Sequence, residues 1–404
     1  MKILYADSVD ESRLQRLTDA GHECVVNSGL TADALDGGLA GFDVLVVRST
    51  KVTAAAIANA DQLGLIVRAG AGTDNIDKKA ASDRGIFVCN VPGRNAIAVA
   101  ELTLGLLLAV DRRIADNTAD LRAGVWNKSA YSKADGLAGK RLAIIGLGDI
   151  GLAVAERAKA FGLLVSAERK PSRSARVQQA IRSIGIRMVD SRPELLSDSD
   201  IVSIHVPGSA ETSGMVDQNF LTSLPDGAIV LNTSRGDVID EPALIAAMDE
   251  RGIRAGLDVF ANEPGSGSAA FDSALGAHRS VVGTHHIGAS TAQAQRSVSD
   301  GTVETIEAFI AGAPVNCVNL RSEPAGICSL TVRHLDRVGV LAKVLEALRA
   351  TGINVQQMQN QIFEGGDAAV ATINLSQSPT DGLIEDLTAI SEVFNVVVIP
   401  STKN

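Results

Sequence analysis

Apolar residues recur along this chain in two forms: short unbroken runs of four or five, and longer stretches in which they return every three to four positions. The first form is what strands covered on both faces show, and the second marks helices with one buried side. From residue 1 to about 90 they predict strands at Lys2 to Tyr5, Glu23 to Val26, Val44 to Val47, Leu65 to Arg68 and Ile86 to Cys89, with a helix through Leu14 and Leu17. Ala96 to Arg113 reads as one long helix, apolar around most of its circumference and so buried between two domains. Six strands follow, near 142–145, 163–166, 201–204, 228–231, 253–257 and 280–283, with helices between most of them, as a doubly wound sheet requires. A second helix, about Thr291 to Gly312, returns the chain to the first unit.

Beyond a linker holding Pro314 and Pro324 the pattern changes. It predicts strands at Ile327 to Arg333, Val355 to Phe363, Ala368 to Leu375 and Val393 to Ile399, and helices at Gly339 to Ala350 and Asp381 to Ser391. The order is βαββαβ, a unit that leaves a sheet face or edge open unless it pairs. It suggests a small ligand-sensing or dimerising module.

One junction carries chemistry. In KRLAIIGLGDIG, residues 140–151, an apolar strand runs into Gly146, Gly148 and Gly151, the spacing G-x-G-x-x-G. The first glycine lets the turn tighten, the second admits a pyrophosphate against bare backbone, and the third lets the next helix pack on the strand. That helix, Asp149 to about Phe161, would aim free N–H groups and its positive end at the phosphate. Strand before, helix after and another strand-like run at Leu163 to Ser166 make this a dinucleotide site.

Composition narrows the class. A length of 404 residues suits two or three domains, and a formal charge of -10 with 3% aromatic residues offers no nucleic-acid groove. Cys24, Cys89, Cys317 and Cys328 show no C-x-x-C spacing, which argues against zinc or a disulfide framework and for a reducing, cytoplasmic setting. No metal is expected. The N-terminus shows no secretory pattern, and the longest apolar stretch, Leu102 to Val110, is too short to span a bilayer.

Three further stretches put polar residues just past strands of the second sheet: Asn232 to Gly236 with Thr233 and Arg235, Asp258 to Pro264 with Glu263, and Thr284 to Thr291 with His285 and His286. An arginine, a carboxylate and a histidine thus share the sheet rim where a nicotinamide would lie. Oxidising a hydroxyl needs a base near neutral pH, a carboxylate can orient a histidine, and a guanidinium can fork onto a substrate carboxylate. By composition alone either histidine could be the base. In the first unit, Arg48-Ser49 and the glycine-rich run Arg68 to Asn75 follow strands and suggest an anion site.

The segments VVRSTKVT, VRAGAGTDNID, GLGDIG, NTSRGDVID, GLDVFANEP and HHIGAST, in this order, resemble the D-isomer-specific 2-hydroxyacid dehydrogenases over nearly the whole chain. The likeness is greatest to members that act on 3-phosphoglycerate and carry a C-terminal ACT-type regulatory domain. It implies an α/β fold of two Rossmann-like doubly wound domains: a substrate-binding domain over 1–97 and 291–316 and a nucleotide-binding domain over 98–290. A linker at 317–325 and an ACT-like βαββαβ domain over 326–404 complete it. The implied reaction is reversible hydride transfer between a nicotinamide and C2 of 3-phosphoglycerate or 3-phosphohydroxypyruvate, the entry to L-serine synthesis.

In that family's pattern Arg235 would bind the substrate carboxylate, Glu263 would pair with the histidine, and His286 would be the acid/base. Gly146, Gly148, Asp149, Ile150, Gly151, Glu168, Thr233 and Asp258 would contact the cofactor, Asp258 at the nicotinamide carboxamide. His205 reads equally as a cofactor contact or a structural histidine. Arg48, Ser49, Gly72 and Asn75 match substrate-loop positions, and His334, Asp336 and Asn354 match an effector turn for L-serine or another amino acid. A homodimer or homotetramer is also implied.

Two positions depart from the pattern. Where NAD-specific members end the second strand in an acidic residue, this chain has Arg169, followed by Lys170 and Arg173. That favours a 2′-phosphate and hence NADP, unless Glu168 reaches the ribose instead. Asp336 stands where serine-inhibited members have asparagine, which changes the charge offered to an effector. An NADPH-dependent glyoxylate or hydroxypyruvate reductase is therefore the nearest alternative, and a non-catalytic cofactor-sensing corepressor a more distant one.

Overall fold

The computed structural model describes residues 1–264, 268–321 and 326–400. The chain forms two compact units, Met1–Asn319 and a second from Leu320 onward. Residues 322–325 of the expected linker, including Pro324, and the last four positions of the expected C-terminal domain lie outside the described residues.

The first unit holds two parallel sheets. Strands β1 (Lys2–Tyr5), β2 (Glu23–Val26), β3 (Val44–Val47), β4 (Leu65–Arg68) and β5 (Phe87–Asn90) form a five-stranded sheet in the order β2-β1-β3-β4-β5. β3 and the first three residues of β4 are fully buried runs, which is why they read as unbroken apolar sequence. The order reverses between β1 and β3, and a crevice at such a switch point is where open α/β sheets bind ligands.

The second sheet comprises β6 (Arg141–Ile145), β7 (Leu164–Glu168), β8 (Arg187–Val189), β9 (Ile201–Ile204), β10 (Ile229–Asn232), β11 (Arg254–Leu257) and β12 (Val281–Gly283), in the order β12-β11-β10-β9-β6-β7-β8. It has seven strands, not the expected six. The extra strand, β8, is three residues long at the sheet edge and opens on an exposed arginine, so it presents no apolar run to read. Here the order reverses between β6 and β9, placing the turns after Ile145 and Ile204 side by side.

The helix Ala96–Arg112 buries Leu104, Leu106, Leu107 and Val110 and packs on β10, β11, β12 and the helix Asp149–Ala160. Each such side chain contributes about 1.5–3 kcal/mol on leaving water. The helix ends at Arg113, whose left-handed backbone (φ 50°) caps the last turn. Helix Ala292–Ile310 returns to the first sheet, where Phe309 meets Phe87 edge to face at 5.9 Å.

The second unit is a four-stranded antiparallel sheet of β13 (Cys328–Leu335), β14 (Val355–Ile362), β15 (Ala368–Leu375) and β16 (Val393–Pro400), ordered β14-β15-β13-β16. Helices Val340–Ala350 and Asp381–Thr388 bury Val344, Leu348, Leu383 and Leu387 in a core with Leu330, Val332, Ala371 and Ile373 of the sheet. Its βαββαβ order is the expected one.

Candidate active site

A cleft of about 1800 Å³ runs along the carboxyl ends of both parallel sheets in the first unit. The glycine turn after β6 leads into Ile150, which lines this cleft. Gly146 has φ +100°, and a Cβ there would stand 2.3 Å from the His205 carbonyl oxygen. A Cβ on Gly151 would meet the Gly146 carbonyl at 2.0 Å, whereas one on Gly148 would point into open space. The turn is therefore closed where it must pack and open at its centre. Helix Asp149–Ala160 starts there with no side chain capping its first amides. Free amides and an open backbone face suit the pyrophosphate of a dinucleotide.

The surrounding positions are more committed than their sequence suggests. His205, after β9, bonds the Ser203 hydroxyl through Nε2 at 2.7 Å, and burial pushes its pKa down to about 3, so the ring is neutral. Thr233 turns its hydroxyl to Thr103 at 2.9 Å on the long helix. Asp149 is ion-paired with Arg176. At the end of β7, Glu168 accepts from Arg192 at 3.2 Å, and Arg169 pairs with Asp190 at 2.8 Å while 61% exposed.

Across the cleft, three loops converge. Glu263 Oε2 meets His286 Nδ1 at 2.7 Å, and its other oxygen accepts the Phe260 amide at 3.0 Å. Burial pushes the Glu263 carboxyl up, but His286, the Phe260 amide and Arg235 outweigh it and hold it below the ordinary carboxylate range. With Nδ1 engaged, Nε2 is the ring nitrogen left to exchange a proton. His285 also lines the cleft but makes no side-chain hydrogen bond among the described residues, which favours His286 of the two.

His286 has a left-handed backbone (φ 52°), a costly conformation for a residue with a Cβ. Asp258 holds it there. Its carboxylate accepts from the Thr284 hydroxyl at 2.6 Å and from the amides of Ile287 and Gly288 at 2.8 Å each, and its carbonyl accepts the His286 amide at 2.7 Å. Asp258 is 1% exposed. Expected from sequence as a nicotinamide contact, it is seen here bracing the histidine loop.

Arg235 follows a turn locked by Asn232, whose amide donates to the Arg235 carbonyl at 2.8 Å and whose oxygen accepts from Ser234. The guanidinium donates to Asp74 at 3.1 Å and to the Ser234 carbonyl at 2.7 Å. It passes so close to Gly72 that a Cβ there would stand 2.0 Å from Nη2.

In the first sheet, Asp7 beyond β1 ties the turn after β3. It accepts the amides of Arg48 (2.7 Å) and Thr50 (3.2 Å) and the Ser49 hydroxyl (2.7 Å). Burial pushes Asp7 up, but these hydrogen bonds outweigh it and keep the carboxyl below its usual range. Asn75 donates to the Thr50 carbonyl at 2.8 Å, so it links the two loops. Ser49 and Asn75 thus hold the two loops together, and Arg48 and Arg68 face the same cleft. Arg68 is not among the substrate residues the family pattern implies, although an arginine at a strand end is visible to the sequence rule. Burial, then Arg235 and Arg48, push its pKa down to about 10.

The expected effector residues do not meet within one chain. His334 is 1% exposed, with Nδ1 on the Leu335 carbonyl at 2.7 Å and Nε2 on Asn360 at 3.2 Å. His334 and Asp336 lie at the Leu335/Ala368 end of the sheet, whereas Asn354 precedes β14 at the Cys328/Leu375 end. At about 3.4 Å per residue an eight-residue strand separates them.

Among the described residues no group of three or more metal-capable side chains gathers, and no helix is long and apolar enough to cross a membrane.

Residues 104–288 match the family model of the D-isomer specific 2-hydroxyacid dehydrogenase NAD binding domain. Along 100% of its length the chain is similar, at 40% identity, to the D-3-phosphoglycerate dehydrogenase of Methanocaldococcus jannaschii, of which it spans 75%. Over 74% of its length it is 41% identical to the hydroxypyruvate reductase of Thermotoga maritima, of which it spans 95%. The crystal structure of the TT0316 protein from Thermus thermophilus superposes on 79% of the chain and 100% of its own length, with TM-score 0.69 and 32% identity. With a glycine turn built for a dinucleotide and a histidine paired to a carboxylate across the cleft from arginines, the chain belongs to the D-isomer specific 2-hydroxyacid dehydrogenases, oxidoreductases with an NAD-binding domain.

Proposed function

We propose that this protein is a D-3-phosphoglycerate dehydrogenase, interconverting 3-phosphoglycerate and 3-phosphohydroxypyruvate at the entry to L-serine synthesis. The observation that carries this reading is the set of Arg48, Arg68 and Arg235 on one cleft, which suits a substrate with two anionic groups. Arg235 holds the carboxylate and polarises the C2 carbonyl, while Arg48 and Arg68 take the phosphate. His286 removes the C2 hydroxyl proton in oxidation and returns it in reduction, and Glu263 orients the ring and stabilises its charged form. The nicotinamide, when bound, supplies the hydride chemistry. We read the β1–β5 unit, 1–97 with 291–316, as the substrate domain and 98–290 as the nucleotide domain, working in the cytoplasm.

Rates at 340 nm with 3-phosphohydroxypyruvate and hydroxypyruvate test the assignment. The phosphorylated substrate is expected to win on kcat/KM, and Arg68→Met to raise its KM roughly 10–100-fold while leaving hydroxypyruvate nearly unaffected. Equal or faster turnover of hydroxypyruvate would support the second reading, a hydroxypyruvate reductase, which the match to the Thermotoga maritima protein favours.

NADP(H) is the preferred cofactor in this proposal. The end of β7 gathers Arg169, Arg173 and Arg192, and Arg192 already neutralises Glu168, the carboxylate that the alternative reading gives to the ribose hydroxyls. Arg169→Asp is expected to lower the NADPH/NADH ratio of kcat/KM by about 10-fold or more. An unchanged ratio would remove the idea.

The second unit fits a regulatory role, with an amino acid such as L-serine as effector and a homodimer or homotetramer as the assembly. Exposed Ile362 (63%), Phe394 (57%) and Ile399 (52%) on its sheet support pairing. Millimolar serine is expected to slow turnover and raise the melting temperature; no change in either would exclude serine.

A further inference from the structure

Cys89 and Cys317 stand with their sulfurs 3.1 Å apart although 228 positions separate them. Cys89 lies in β5 and is fully buried; Cys317 is partly exposed, two residues before the first unit ends at Asn319. The backbone explains the meeting. The Asn90 amide donates to the Asn316 carbonyl at 3.2 Å and the Val318 amide to the Val88 carbonyl at 2.8 Å, so the exit segment lies antiparallel along β5. These bonds flank the cysteines and make them a non-hydrogen-bonded pair, the kind whose Cα atoms are closest, about 4.5 Å. A disulfide spans Cα distances of about 4.4–6.8 Å.

We propose that Cys89 and Cys317 are a redox modification site, a dithiol that closes to a disulfide under oxidant and staples the exit of the dehydrogenase unit to its substrate-side sheet. The oxidant is a diffusible hydroperoxide, with hydrogen peroxide as the simplest. The Cys317 thiolate attacks one peroxide oxygen, the O–O bond breaks, and the departing hydroxide takes up a proton to leave as water. Cys317 is then a sulfenic acid. Cys89 gives up its thiol proton and attacks that sulfur; the S–S bond forms as the S–O bond breaks, and a second water leaves. The two thiols lose two electrons and two protons, and one peroxide becomes two waters. Cys317 acts first because it is the accessible sulfur, while burial and the neighbouring Cys317 push the Cys89 thiol pKa up.

The staple sits directly behind the cleft. Asn90, next to Cys89, donates to the Ala71 carbonyl at 2.6 Å, and Ala71 belongs to the turn between Arg68 and Asn75. Asn90 and Val318 both line the cleft. A disulfide here closes a very long loop, the case in which cross-linking removes most entropy from the unfolded chain. It makes the unit more persistent under oxidising conditions and opens again with a dithiol.

The full chain, reduced or treated with hydrogen peroxide, is denatured, alkylated with iodoacetamide, digested and read by mass spectrometry. The expected result is a Cys89–Cys317 linked peptide in the oxidised sample, lost after dithiothreitol and absent from Cys317→Ser. The oxidised wild type should melt roughly 5 °C higher than the reduced, and Cys317→Ser should show no such rise. Since Cys317 is partly exposed, that variant folds even where Cys89→Ser does not. Alkylation of both cysteines after oxidation, separate oxidation to sulfinic acids, or a link to another cysteine would each overturn the proposal.

Discussion

His286→Asn is expected to cut kcat by about 10²–10⁴-fold while leaving the KM for the keto acid and the melting temperature close to wild type. Asparagine is chosen for a backbone reason. His286 lies at φ 52°, and asparagine is among the few residues with a Cβ that tolerate the left-handed region. The Asp258 brace on the loop therefore remains, and what disappears is the ring nitrogen that exchanges the proton. Stopped-flow and steady-state rates at 340 nm check it, with calorimetry as the folding control. Near-normal kcat would show that His286 is not the acid/base and return attention to His285.

The carboxylate beside it sets the pH window. Because Glu263 titrates below the ordinary glutamate value of about 4.3, it remains charged at mildly acidic pH. Its folded pKa is depressed, so the stability its hydrogen bonds contribute is present above the unfolded value and is lost as the pH falls through the lower folded one. Thermal unfolding followed downward from pH 5 should show this loss in wild type and a weaker one in Glu263→Gln.

Arg235→Lys is the second large effect, an expected loss of about 10²–10³-fold in kcat/KM. Lysine retains the charge but not the fork. The guanidinium donates simultaneously to Asp74 and the Ser234 carbonyl, and a single ammonium cannot keep both while offering paired donors to a carboxylate. The loss should appear in KM through weaker substrate binding and in kcat through weaker polarisation of the C2 carbonyl. Saturation kinetics separate the two, and a variant within about threefold of wild type would show that Arg235 serves only the Asp74 pair.

Local order along the chain was enough for most of the architecture. β3 is four buried apolar residues, β6 a run that is apolar from Leu142 to Ile145 and is followed by Gly146, and the helix Ala96–Arg112 a long apolar segment, and each was legible because strand and helix periods are written over a few neighbouring residues. The glycine turn was legible for the same reason: turn, phosphate approach and helix packing are all set within six positions. β8 was lost because three residues led by an arginine carry no period.

What tertiary structure decided, beyond one pair that the family resemblance implies, is which side chains meet. Glu263 and His286 are 23 positions apart, Arg235 and Asp74 161, and Cys89 and Cys317 228. The family resemblance supplied the first pair; nothing in the local sequence marked the others. Asp7, outside every motif, reaches Ser49 because β1 and β3 are neighbours at the switch point of their sheet. Asp258 braces the histidine loop because β11 and β12 lie side by side. Hydrophobic period reports whether a residue faces the core, but hydrogen bonds between distant loops depend on strand order and register, which are settled only when the sheets close.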